Sequence, residues 1–175
     1  MTQWAQNNNA SLRLIKNASL GYELEYFTIE INYVTNMHNK ILISQTATGT
    51  DIDVGLSYLK FKNYDPELIN FDLSLYQKGF FEKILNSNKI KTGNKTFDNK
   101  FGIYCPQKTS VLKLFNDEKV QCLFLNNVFL VFNVQKSKSL VTLKSMEVKL
   151  YEIVELQELL DNFVYILKLI NKSNL

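Results

Sequence analysis

Four places in this 175-residue chain carry side chains whose types and spacing suit chemistry. The stretch 92-TGNKTFDNKFGIY-104 has a glycine in a polar turn, an aspartate five residues on, and lysines on both sides. A phosphate-binding loop needs GxxxxGK followed by Ser or Thr, running from a strand into a helix. Here the second glycine is missing, and an aromatic strand is expected where the helix should start. A dinucleotide fingerprint fails as well, and Asp98 with Asn99 gives too few oxygens for calcium. The reading that explains most is a tight connection. Gly93 takes a positive φ, Asp98–Asn99 turns the chain again, and Phe97 and Phe101 point into a core.

In 49-GTDIDVG-55, Asp51 and Asp53 are two apart and could act as a paired acid and base or hold a divalent ion. No His or Glu lies close in sequence, and Asp with Gly favours a hairpin loop. His38, the single histidine, is the only side chain with an ordinary pKa near neutrality. A nucleophilic mechanism would pair it with Cys105, which sits just before an expected helix start, where a thiolate is favoured. A solvated loop histidine and a buried thiol are the plainer readings. Cys105 and Cys122 have no CxxC spacing and, with one histidine, make no familiar zinc set. Two free thiols are favoured, and a disulfide stays open.

Composition narrows the classes further. The length suits one domain or at most two small ones. Hydrophobic residues make up 46% and charged residues 21%, ordinary for a globular protein. The net charge is +3, divided as −2 over residues 1–70 and +5 over residues 71–175. Among twenty basic residues only Arg13 is arginine. Arginine supplies the planar fork for phosphate and guanine, so nucleic acid is not the expected partner. No run reaches the roughly 20 apolar residues of a membrane span, and the start lacks a secretory signal. A cytoplasmic location is expected, with membrane association only through a missing segment or a partner.

The elements that must position these residues follow from periodicity. Residues 1–19 read as a polar N-terminal segment, with a short helix over 10–19. Residues 20–175 read as a single α+β domain. The period of two in 22-YELEYFTIEINYV-34 predicts a long strand, and the alternation slips at Tyr26–Phe27, which predicts a bulge. Strands at 40–47 and 54–62 complete an antiparallel meander, and 71–77 forms another strand. Residues 80–86 read as two helical turns. A strand at 101–105 leads past Pro106 to a helix at 107–115. Asn116 is the expected cap of the next helix. Residues 128–135 and 140–146 form a hairpin around 136-KSKS-139. Residues 147–172 carry apolar residues three and four apart, the pattern of a long amphipathic helix.

The segment around Thr92, Gly93, Asn94, Phe97, Asp98 and Phe101, followed by Leu112, Leu114 and Phe115, resembles a family of uncharacterised bacterial domains. Those domains carry Thr-Gly-Asp/Asn-x-x-Phe-Asp/Glu-x-x-Phe before a strand, a Leu-rich helix and a hairpin. The likeness spans about residues 71–170. It implies this fold order and no known activity, and such domains are often part of membrane-associated proteins.

The expectation is therefore a two-layer α+β domain: an antiparallel sheet of six or seven strands, covered on one face by the C-terminal helix and the short helices. A curved sheet gripping that helix would enclose a hollow lined by Phe and Tyr. The expected function is non-catalytic, in an interaction or apolar-ligand-binding domain that needs no cofactor or metal. The partner would be a protein or an apolar small molecule, met by Trp4, Tyr22, Tyr26 and Phe129. Alternatives are an immunity-type protein that neutralises a partner, and a small enzyme using Cys105 and His38.

Overall fold

The structure is a computed structural model and describes residues 1–16, 23–33, 40–48, 56–64, 71–79, 90–106, 108–126, 129–145 and 153–172. His38, Asp51, Asp53, Tyr22 and the helical turns expected at 80–86 lie outside the described residues.

The fold is α+β. Eight strands form one sheet: β1 (Ala10–Lys16), β2 (Glu23–Tyr33), β3 (Lys40–Thr48), β4 (Leu56–Tyr64), β5 (Leu73–Gln77), β6 (Phe101–Tyr104), β7 (Phe129–Gln135) and β8 (Leu140–Ser145). Every pairing is antiparallel, and the order is β1-β2-β3-β4-β8-β7-β5-β6. The first four strands form the expected meander. The chain then leaves the sheet and returns at its far end with β5, β6 and β7. Strand β8, laid down last, pairs with β4 on one side and β7 on the other.

The helices are α1 (Thr2–Asn7), α2 (Lys95–Lys100), α3 (Lys108–Phe115), α4 (Glu118–Asn126) and α5 (Ile153–Lys172). A 3-10 turn at Lys136–Lys138, with Ser139 in the left-handed region at φ 48°, closes the β7–β8 hairpin.

Local sequence accounts for much of this. The slip in alternation at Tyr26 is a bulge: Glu25 faces Thr46 and Phe27 faces Gln45, so Tyr26 is the extra residue. On α5, Leu156, Leu159, Leu160, Phe163, Ile166 and Ile170 are buried, while Val164 and Leu167 are half-buried. Each fully buried large side chain contributes roughly 1.5–3 kcal/mol. Phe163 meets Phe61 of β4 at 5.6 Å between ring centres.

Three local expectations are corrected. Residues 10–16 form strand β1, not a helix, because Ala10–Lys16 pairs in continuous register with Phe27–Tyr33. This strand raises the sheet from the expected six or seven to eight. The segment read as polar also packs onto the domain: Trp4 is only 6% exposed, and its indole Nε1 donates to Asp161 Oδ1 of α5 at 2.6 Å. Finally, Asp98–Asn99 is not a second turn but part of α2.

Candidate functional site

The 92–101 stretch proves to be a tightly cross-braced corner. Gly93 has φ +88°, the left-handed region that glycine alone enters at little cost. That turn aims the backbone at Asp98. The Asp98 carboxylate accepts from Thr92 N at 2.9 Å, Thr92 Oγ1 at 3.0 Å and Gly93 N at 3.2 Å. Asn94 caps α2, its Oδ1 accepting from Thr96 N at 3.0 Å and Phe97 N at 3.2 Å. The other end of that amide, Nδ2, donates to Gln121 Oε1 of α4 at 2.6 Å. Gln121 Nε2 in turn donates to the carbonyl of Phe115 at 2.5 Å. The T-G-N turn is thus tied to α2, α3 and α4 by side chains that bond at both ends. Buried Lys78 adds a further tie, its Nζ donating to the Asp98 carbonyl.

Beneath the corner lies an aromatic cluster. Phe97 is 5.0 Å from Phe101 and 5.6 Å from Phe115, and Phe124 is 5.5 Å from Phe132. All five rings are buried, and each lies within stacking range of at least one other. These rings make up the interior beneath the corner.

Above the corner is an open polar cleft of about 610 Å³, lined by Thr92, Gly93, Asn94, Asn116, Glu118, Gln121 and Cys122. Two stretches more than twenty residues apart in sequence form its walls, so neither reveals it alone. Cys122 is exposed here, whereas Cys105 is buried, and neither forms a disulfide. Asp117, not Asn116, caps α4: its Oδ1 accepts from Val120 N at 3.1 Å. The same carboxylate accepts the Tyr165 hydroxyl at 2.8 Å, tying α5 to the start of α4. That hydrogen bond raises the Tyr165 pKa above its ordinary 10.0, with burial and the Asp117 charge adding to the rise. Lys119 Nζ lies 4.2 Å from the centre of the Tyr165 ring, a cation–π contact.

What can the cleft do chemically? The carboxylate beneath it, Asp98, already accepts three hydrogen bonds, and the Asn94 and Gln121 amides are committed to each other. Asn116, Glu118 and Cys122 at the rim are exposed. The arrangement suits hydrogen-bonded recognition on a stiff base better than proton transfer. Among the described residues, no group of three or more His, Cys, Asp or Glu could hold a metal ion.

The remaining expected partner residues do not converge here. Trp4 is turned inward against α5. Tyr26 sits at the β2 bulge, and Phe129 begins β7 opposite Ser145, where the register shifts again. Among the described residues, no helix is long and apolar enough to cross a membrane. Comparison of the chain with protein-family models, with curated proteins and with solved structures returned no match.

Proposed function

We propose that this chain is a non-catalytic interaction domain that binds a protein partner at the cleft between the T-G-N turn and α4. The observation that carries this reading is the bracing of the turn. Three hydrogen bonds to Asp98 and the Asn94–Gln121–Phe115 relay hold one wall of an open polar cleft in a fixed shape. A wall already ordered loses little entropy when a partner docks, which favours affinity. The ring-to-ring packing of the phenylalanines supports a protein partner over an apolar small molecule.

In this reading the domain has two layers. Helix α5 and the short helices lie on one face of the sheet, supported by the buried stripe of α5 and the Phe61–Phe163 and Phe124–Phe132 contacts. The opposite face then carries none of the described helices.

The test uses the exposed thiol. A photo-crosslinker attached to Cys122 of the Cys105→Ser variant should capture a protein in the source cell. Capture should fall when Asn116→Arg and Glu118→Lys alter the rim. Adducts insensitive to both changes, or none at all, would remove the cleft as the binding surface.

A further inference from the structure

We draw no further inference here: the strongest candidate, the aromatic patch at the β6 edge of the sheet where Tyr104 is 67% exposed on the same face as Tyr76 of β5, carries nothing because nothing in the structure shows what covers it.

Discussion

Cutting the bond between Trp4 and Asp161 tests how firmly helix α1 is held by helix α5. The indole is 6% exposed, and its Nε1 donates to Asp161 Oδ1 at 2.6 Å across 157 residues of sequence. Asp161→Ala removes the acceptor and leaves a buried N–H without this partner, which costs about 1–3 kcal/mol. For a chain of this length each kcal/mol moves the melting temperature by roughly 2–4 °C, so a fall of about 2–12 °C is expected. Trp4→Ala should cost more, about 3–5 kcal/mol, because it also empties the site the ring fills. Trp4→Phe keeps most of the apolar volume but has no donor, so Asp161→Ala in that background should add little. Urea unfolding followed by circular dichroism would provide this double-mutant cycle. The protein contains one tryptophan, so its fluorescence isolates the site: emission should lie to the blue when native and move red in Asp161→Ala. An unchanged urea midpoint together with an unchanged emission maximum would refute the clasp. So would equal costs for Asp161→Ala with and without the indole.

Other predictions concern the braced corner and its link to α5. Gly93→Ala forces a β-carbon into a left-handed backbone and should destabilise by roughly 1–2 kcal/mol, read as a lower urea midpoint. Asp98→Ala strips the acceptor from three donors and should cost more than Gly93→Ala in the same assay. Tyr165→Phe should reveal the sign of its linkage. Its folded-state pKa is raised, so its contribution is complete below the ordinary value near 10 and disappears as pH rises through the folded value. The stability gap between parent and Tyr165→Phe should therefore be constant at neutral pH and narrow in strong alkali. In the native state Cys122 should react with a maleimide, whereas Cys105 should react only on unfolding.

Much of the fold was legible in sequence because its signals are local. The alternation in β2 revealed both the strand and its bulge at Tyr26, and the spacing of Leu156, Leu159, Leu160 and Phe163 revealed the buried side of α5. Gly93 advertised its positive φ, and Phe97 and Phe101 their burial. The misses have distant causes. In Ala10–Lys16 the apolar residues Leu12, Leu14 and Ile15 fit a helical face as readily as a strand, and pairing with β2 decides the matter. Trp4 was read as a residue that meets a partner, because the group it bonds, Asp161, is 157 residues away in sequence. Helix α2 is six residues long, too short to show a period, although Asn94 before it is a capping residue in plain view. The cleft joins residues 92–94 to 116–122, so no single window of sequence contains it.

Strand order carries a consequence for how the molecule is made. A ribosome releases β1–β4 long before β8 exists, and until residue 140 emerges β4 presents a bare row of amide and carbonyl groups to whatever passes. The missing neighbour is translated after all the other described strands. A nascent chain halted before it holds two unjoined ribbons, and β4 would be the natural place for a stray strand to attach.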